Sequence, residues 1–244
     1  IKTKLPCITM NSSGVLVVDK PAGISSAKVV AIVKKALSAK KVGHTGTLDP
    51  LATGVLICCI NKATKLAKFF LQGEKKYTAL VQLGIETDTQ DSTGIIISKC
   101  NKVQFSENKI LSVFKRFEGK IEQLPPVFSA LKHKGVPLYK LARKGKPVQK
   151  PSRSVFISYI DILDLNLPFV RFEVLCSSGT YVRTLCSDIG TSLGCGGHLK
   201  ELRRTESSQF TIQDAVTISE LKELAKCGKL SQRLINMADA LKDM

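Results

Sequence analysis

The sequence predicts an α+β fold in which a mixed, largely antiparallel central sheet is flanked by helices. Strand-like and helix-like segments alternate along the 244 residues without an internal repeat, and several strand-like segments follow one another closely enough to pair as hairpins. Hydrophobic residues make up 43% of the chain, which suffices for a sizeable core. Since no clear linker interrupts this pattern, we expect one domain over residues 1–244, with an insertion at about 125–152.

The first half of the chain alternates strands and helices in a regular order. The apolar run at 14–18 predicts a buried strand, after which proline and glycine residues form a turn. Ser25 or Ser26 can cap a helix whose apolar residues recur at helical spacing. A glycine-rich loop from Gly43 to Gly54 follows. The next predicted elements are a strand at 55–60, a short helix at about 62–71 and a strand at 76–83.

The second half of the chain contains the insertion. Five prolines between residues 125 and 151 indicate a long excursion, which holds a short helix near 138–143. Long loops of this kind in compact domains are usually functional. The flanking predictions are a helix at 106–118, strands at about 154–163 and 169–176, a helix opened by Gly179, and amphipathic helices near 217–226 and 230–241.

The charge balance of the chain is strongly basic, with 37 basic and 20 acidic residues and a net charge of +17. Eight of the basic residues lie between Lys132 and Arg153, where there is no acidic residue. This concentration favours a polyanionic partner such as nucleic acid, although a solvated basic loop without a partner would look the same. No hydrophobic face accompanies the charges and no apolar run could span a bilayer, so we expect no membrane contact. The N-terminal residues lack a secretory signal, which predicts a cytoplasmic protein.

The eight cysteines are scattered along the chain and form no Cys-x-x-Cys pair. Cys58 and Cys59 lie within a strand-like run, where a free cysteine behaves as a small hydrophobe. The one spacing typical of a metal site is Cys195-x-x-His198, with Cys186 upstream, but a structural zinc site needs a fourth ligand. We therefore predict reduced cysteines in the core and no metal site.

Asp49 is the candidate catalytic residue within the glycine-rich loop. Glycines permit the close approach of a ligand, and Pro50 keeps the backbone of Asp49 out of the helical region. A carboxylate on such a rigid loop can be held in one orientation for attack. A structural turn in which Asp49 caps the backbone is the alternative. The loop is not a phosphate-binding P-loop, because no Gly-Lys-Ser/Thr sequence ends it.

The segment from Gly43 to Leu56 resembles the catalytic motif of the TruB-type pseudouridine synthases. Further blocks match the same family in the same order, so that the resemblance covers about residues 14–210. These blocks are Val18–Ser26, Lys76–Ala79, Asp88–Gly94, Pro125–Lys132, Ser177–Leu185 and His198–Arg204. The resemblance implies the pseudouridine synthase fold and an RNA substrate.

The resemblance also implies a specific reaction. Enzymes of this family detach uracil from its ribose, turn it over and reattach it through carbon, without a cofactor. The implied substrate is the T-arm stem-loop of transfer RNA at U55, with no obligatory protein partner, and the base must flip out of its stack to react. Asp49 is then the nucleophile, whether it attacks the sugar or the base ring. Arg183 pairs with its carboxylate, and Tyr77 stacks on the base.

Other residues match the family's substrate-binding positions. His44 fills the space that the extruded nucleotide leaves, and Asp91 engages Arg183. The remaining positions are Lys20, Tyr181 and Leu202. The insertion is similar to the family's RNA clamp, in which cations contact phosphates, and a complete C-terminal RNA-binding domain is not expected. The clamp residues are Lys132, Lys134, Lys140, Arg143, Lys144, Lys146 and Lys150.

Three other functions stay open. A magnesium-dependent nuclease could use Glu86, Asp88 and Asp91 beside the basic surface. A non-catalytic RNA-binding module would not need a rigid Asp49 loop. The third is a guide-RNA-dependent synthase related to this family, against which the expected absence of the C-terminal domain counts.

Overall fold

The structure, a computed structural model, describes residues 12–242. These residues form two compact units. Unit 1 contains residues 12–75 and 203–242, and unit 2 contains residues 76–202. The single domain expected from the sequence stays a prediction, and Cys7 lies outside the described residues. Among the helices of residues 12–242, none combines the length and the apolar character that a membrane crossing requires.

Strands and helices alternate throughout the described part of the chain. The strands are β1 (Gly14–Lys20), β2 (Val42–Thr45), β3 (Thr53–Ile60), β4 (Lys75–Leu83), β5 (Ile85–Thr87), β6 (Ile96–Lys99), β7 (Gly119–Gln123), β8 (Lys132–His133), β9 (Val136–Pro137), β10 (Arg153–Asn166), β11 (Phe169–Cys176), β12 (Gly197–Ser207), β13 (Phe210–Thr211) and β14 (Val216–Thr217). The helices are α1 (Ser26–Ala36), α2 (Ala67–Gln72), α3 (Glu107–Lys115), α4 (Leu138–Ala142), α5 (Val182–Leu193) and α6 (Ile218–Lys226). Short 3₁₀ helices cover Asn61–Leu66, Ile212–Asp214, Leu230–Arg233 and Asp239–Leu241.

Unit 1 is built on mixed strand pairing in the order β14-β1-β3-β12. β1 pairs antiparallel with β3 and parallel with β14, whereas β3 pairs parallel with β12. β2 adds antiparallel to β3, and β13 adds antiparallel to β12. Buried apolar side chains of β1 and β3 pack with Phe70 of α2, whose ring meets that of Phe210 edge-on at 5.6 Å between centroids. This apolar cluster is the core of unit 1.

Unit 2 has the strand order β4-β11-β10-β7. β10 pairs antiparallel with both β11 and β7. Side chains on β4 and β11 alternate between buried and half-buried, because successive residues of a strand point to opposite faces. Phe114 of α3 and Phe172 of β11 meet edge-on at 5.3 Å between centroids. The hairpins β5-β6 and β8-β9 form separate two-stranded sheets.

The predicted fold class, a mixed and largely antiparallel sheet flanked by helices, is confirmed. The side chain of Ser25 accepts a hydrogen bond from the backbone of Lys28 and begins α1, as the capping pattern predicts. The predicted alternation on β4 is also confirmed, with Tyr77, Ala79 and Val81 on the buried face.

The prediction of one helix over residues 230–241 is wrong. Two 3₁₀ helices lie in this segment, and between them the backbone of Ile235 is extended and pairs with Val15. The two backbone hydrogen bonds that Ile235 exchanges with Val15 measure 2.8 and 2.9 Å. The glycine-rich loop is also shorter than expected, because residues 42–45 pair with β3 as strand β2. A helix was expected to open at Gly179, but α5 begins at Val182.

Candidate active site

Asp49 lies in unit 1, on the segment that connects β2 to β3, and the residues on both sides of it are held by hydrogen bonds. The hydroxyl group of the buried Ser26 donates to the carbonyl oxygen of Leu48 at 3.0 Å and accepts from its amide at 2.9 Å. The carbonyl oxygen of Pro50 accepts from the amide of Gly23 at 2.8 Å and from Lys20 Nζ at 3.3 Å. The backbone around the half-buried Asp49 is therefore fixed from the β1–α1 segment.

Lys20 is fully buried in unit 1. Besides its bond to Pro50, its ammonium group donates to the carbonyl oxygens of Pro21 and Ile24, both at 2.8 Å. Burial lowers the pKa of Lys20 from 10.5 to about 8, while the Asp49 carboxylate opposes this shift and the Arg204 guanidinium adds to it. These contacts hold the backbone around Asp49, and the substrate-binding role of Lys20 stays a prediction.

Arg204 is a residue of this site that the sequence reasoning did not single out. It lies on β12 with 1% of its surface exposed. Its Nε donates to the carbonyl oxygen of Val55 at 2.7 Å, and its Nη2 donates to that of Gly46 at 3.1 Å. Gly54, its partner in the parallel pair, has φ +102°, and a Cβ there would stand 2.1 Å from the Arg204 carbonyl oxygen. Arg204 thus joins the two ends of the Asp49 segment.

His44 lies on β2, half-buried, in the same unit. Burial, with a smaller contribution from the Arg204 charge, lowers the pKa of His44. The ring is therefore neutral near pH 7. Its Nδ1 atom is buried and has no hydrogen-bond partner within residues 12–242. Unit 1 therefore contains three of the predicted site residues, namely Asp49, Lys20 and His44, and the Arg204 charge acts on both Lys20 and His44.

Arg183 and Asp91 meet in unit 2, and both are buried. Arg183 projects from α5, and its Nη1 lies 3.8 Å from a carboxylate oxygen of Asp91. The same guanidinium donates to the carbonyl oxygens of Thr89 and Phe128, both at 2.9 Å. The other oxygen of Asp91 accepts bonds from the Thr89 hydroxyl at 2.8 Å and from the amide of Thr93 at 2.9 Å. The guanidinium is therefore held in one orientation.

The remaining predicted residues of unit 2 lie on or next to three different elements. Tyr77 is 8% exposed on the buried face of β4. Leu202 is 9% exposed on β12. Tyr181 is half-buried and immediately precedes α5.

The residues that suggested a metal site are engaged in other bonds. His198 Nδ1 lies 2.9 Å from the carbonyl oxygen of Ile85, and the Cys195 thiol lies 3.3 Å from that of Gly196. Asp88 accepts from the amide of Ile95 at 2.8 Å. In the part of the chain that the structure describes, no group of three or more His, Cys, Asp or Glu residues is arranged to hold a metal ion. The seven described cysteines are free, and five of them are buried.

The insertion at about 125–152 consists of β8, β9 and α4 with connecting loops. The short helix predicted near 138–143 is confirmed as α4. Six of the seven predicted clamp cations are exposed, and Lys150 is half-buried. The guanidinium carbon of Arg143 lies 5.7 Å from the centroid of the Tyr139 ring. The cations are thus available to phosphates in solution.

Two family descriptions match most of the chain. Residues 34–182 match the TruB family pseudouridylate synthase (N terminal domain), and residues 183–242 match the tRNA pseudouridylate synthase B C-terminal domain. The tRNA pseudouridine synthase B of Francisella tularensis is 47% identical over 217 residues, which are 88% of this chain and 72% of the relative. The protein of the same name from Geobacter sulfurreducens is 46% identical over 228 residues, which are 93% of this chain and 75% of the relative.

Solved structures show the same fold. A chain of the archaeal box H/ACA sRNP Nop10-Cbf5 complex has a TM-score of 0.71 and 30% identity over 95% of this chain. A chain of a Cbf5-Nop10-Gar1 complex has a TM-score of 0.74 and 32% identity over 97% of this chain. The present chain spans 62% and 63% of the length of those two solved chains.

Proposed function

Because the chain belongs to the TruB family of pseudouridylate synthases, we propose that it converts U55 in the T-arm of transfer RNA into pseudouridine without a guide RNA. The names of the curated relatives support a transfer RNA substrate at 46–47% identity. The likeness to the chain from the box H/ACA sRNP is lower, at 30% identity. The difference favours the transfer RNA enzyme over the guide-RNA-dependent alternative.

Asp49 is the proposed nucleophile, and the anchoring of the backbone on both sides of it is the observation that carries this assignment. A nucleophile reacts fastest when it is held in attack geometry before the substrate arrives. Lys20 interacts electrostatically with the Asp49 carboxylate. A cation near a carboxylate favours the ionised form, which is the nucleophilic one. A turn that only capped the backbone would not need this arrangement.

In the proposed reaction, the glycosidic bond breaks, the uracil turns over, and a bond forms between the sugar and a ring carbon, which loses its proton. The nitrogen that has left the sugar takes up a proton in exchange, so the product is an isomer of the uridine and no oxidant, reductant or group donor takes part. Asp49 attacks the sugar and displaces the uracil, or it adds to the ring; in either case its bond to the substrate is broken again by the end of the reaction, which regenerates the carboxylate. Arg183 remains the predicted partner of the Asp49 carboxylate, and Tyr77, Tyr181 and Leu202 remain the predicted pocket for the flipped base.

The insertion is the proposed clamp on the RNA backbone. Its exposed cations and the absence of acidic residues between Lys132 and Arg153 support contacts with phosphates. Such contacts position the RNA and carry no direct sequence information. His44 is proposed to occupy the space that the flipped uridine leaves, and its neutral ring suits stacking between bases.

The test uses a transfer RNA transcript with the purified chain and no guide RNA. Conversion of uridine leaves the mass unchanged, so pseudouridine is mapped by primer extension after carbodiimide labelling. Asp49→Asn nearly preserves shape but removes the nucleophilic charge, and we expect it to abolish turnover while RNA binding persists. Asp88→Asn is the matched control, since Asp88 is exposed and an amide oxygen can still accept from the amide of Ile95.

Two results would contradict the proposal. Product formation by Asp49→Asn, once mass spectrometry has excluded deamidation back to aspartate, would remove Asp49 as the nucleophile. Conversion by the wild type only after a guide RNA is added would favour the guide-RNA-dependent synthase.

A further inference from the structure

The two ends of the insertion lie next to each other in unit 2. Gln123 is the last residue of β7, Arg153 is the first residue of β10, and the two are paired in the antiparallel ladder. The side chains of both residues contact Tyr181, which is distant from them in sequence. The base of the insertion is therefore connected to Tyr181 through two different contacts.

Gln123 holds the backbone of Tyr181. Its side chain is fully buried, with 0% of the residue exposed. The amide nitrogen donates to the Tyr181 carbonyl oxygen at 3.1 Å, and the amide oxygen accepts from the Tyr181 backbone amide at 2.7 Å. A buried amide with both bonds made is strongly oriented, because loss of either bond would leave a buried polar group unsatisfied. The backbone position of Tyr181 is thus fixed.

Arg153 holds the ring of Tyr181. Its guanidinium carbon lies 4.6 Å from the ring centroid, within the range of a cation–π contact. The guanidinium also lies against Gly179, where a Cβ would stand 3.3 Å from its carbon, so the missing side chain provides the room that it occupies. Its Nε is buried and has no hydrogen-bond partner in residues 12–242. Within this described part of the chain, the group that faces the guanidinium is therefore the aromatic ring of Tyr181.

We propose that Gln123 and Arg153 position Tyr181 for the reaction, and that Arg153 serves the uridine pocket and not the phosphate-binding clamp. The proposal rests on the proposed function, in which Tyr181 contributes to that pocket. A tyrosine side chain has only two torsions, so a fixed backbone and a fixed ring plane together leave it one orientation. A pocket held in this way does not have to order itself when the uridine enters.

This assignment separates Arg153 from the other basic residues of the stretch 132–153. Arg143 provides the comparison, because it also lies over a tyrosine ring, that of Tyr139, but is exposed within the insertion. A cation that contacts phosphates releases counterions, so its loss weakens binding and lowers the salt dependence. A cation that only orients a pocket residue affects the rate of the chemical step instead.

The experiment compares Arg153→Ala with Arg143→Ala on a T-arm stem-loop RNA. For Arg153→Ala we expect a roughly 10-fold lower single-turnover rate at saturating RNA, with the affinity and its salt slope unchanged. For Arg143→Ala we expect weaker binding and a salt slope smaller by about 0.7–0.9. Arg171→Ala, which removes an exposed ion pair with Glu201, is the control that should leave rate and affinity unchanged.

A double-mutant cycle tests whether Arg153 acts through Tyr181. In a Tyr181→Ala background, Arg153→Ala should cause no further loss of rate, because the residue that it positions is gone. Arg153→Lys keeps a cation over the ring, so its single-turnover rate should lie between those of Arg153→Ala and the wild type. If Arg153→Ala does not fold, Arg153→Lys takes its place. With fluorotyrosine incorporated, the fluorine signal of Tyr181 should shift in Arg153→Ala and stay in place in Arg171→Ala.

Three results would overturn the proposal. If Arg153→Ala leaves the single-turnover rate unchanged and lowers the salt slope, Arg153 is another clamp contact. The proposal also fails if Arg153→Ala lowers the rate as much in the Tyr181→Ala background as in the wild type, or if the fluorine signal of Tyr181 does not shift in Arg153→Ala. Absence of pseudouridine with the wild type would refute the proposed function separately. In that case the fluorine signal would still decide whether Arg153 fixes the ring.

Discussion

Lys20 is a buried cation beside Asp49, and its titration should be visible in the stability of the protein. Burial lowers its pKa to about 8 in the folded chain, against an ordinary value of 10.5. Between these two values the unfolded state binds more protons than the folded state, so the free energy of unfolding rises as the pH rises. Below this window both states hold the proton, and the full penalty for burying the charge remains.

The size of the effect follows from the two pKa values. The difference between 10.5 and about 8 corresponds to about 3 kcal/mol when the pH passes through the whole window. Other groups titrate at strongly alkaline pH, so the useful range runs from about pH 7 to about pH 9, where integration gives a rise of about 1 kcal/mol. This is a measurable part of the ~5–15 kcal/mol by which a domain is stable.

The assay is urea unfolding of the wild type, Lys20→Met and Lys28→Met across that pH range. Methionine keeps the length of the side chain and removes the titrating group. The free energy of unfolding of the wild type should rise relative to Lys20→Met by about 1 kcal/mol, with unchanged m values. Lys28→Met removes an exposed lysine of α1 and should not reproduce this rise. If the difference between wild type and Lys20→Met stays constant with pH, the buried Lys20 does not titrate with a lowered pKa. Lys20→Gln takes the place of Lys20→Met if that variant does not fold.

Three further predictions concern the reaction. Turnover should survive excess EDTA, provided that the RNA stays folded, because the proposed chemistry uses a carboxylate; loss of turnover would favour the nuclease alternative. Arg204→Lys should lower the single-turnover rate by about 10-fold and leave RNA affinity unchanged, since one ammonium cannot reach both Gly46 and Val55 as the guanidinium does. An unaltered rate would show that Arg204 does not position Asp49. Joint replacement of four clamp cations by alanine should weaken RNA binding and lower the salt slope by about 0.7–0.9 for each lost contact. Filter binding at several salt concentrations measures this slope. An unchanged slope would show that the loop does not contact the RNA. These four cations are Lys140, Arg143, Lys144 and Lys146.

Patterns within a short stretch of sequence correctly predicted the elements that are stabilised by contacts within that same stretch. The Ser25 cap and the apolar spacing of α1 are contained in one short segment, and the alternation on β4 is visible over nine residues. Elements that depend on distant partners were missed. Strand β2 looks like a loop because it contains Gly43, yet it pairs with β3. Residues 230–241 have a helical pattern, but Val15 holds Ile235 in an extended conformation.

The same division applies to the candidate site. Asp49, His44 and Arg183 were predicted because they lie in motifs, and motifs are visible in one sequence. Arg204 and Gln123 were missed, because each acts on backbone groups more than fifty residues away. Nothing in the local sequence of Gln123 indicates that its amide bonds to Tyr181. The block His198–Arg204 did carry a signal, but two adjacent arginines do not reveal that Arg204 is buried and Arg203 pairs with Asp19.

The contacts around Asp49 give a physical reason for three of the sequence blocks in unit 1. The block Val18–Ser26 contributes Lys20, Gly23 and Ser26, which hold the carbonyl or amide groups of Leu48 and Pro50. The block Gly43–Leu56 contributes the reactive segment, and its Gly54 lets the backbone of β12 approach where any Cβ would collide. The block His198–Arg204 contributes the guanidinium that joins the ends of that segment. Neither Ser26 nor Arg204 is a predicted contact of the uridine. Substitutions at these two residues should therefore lower the rate of the chemical step through the position of Asp49, and leave the contacts that select the RNA intact.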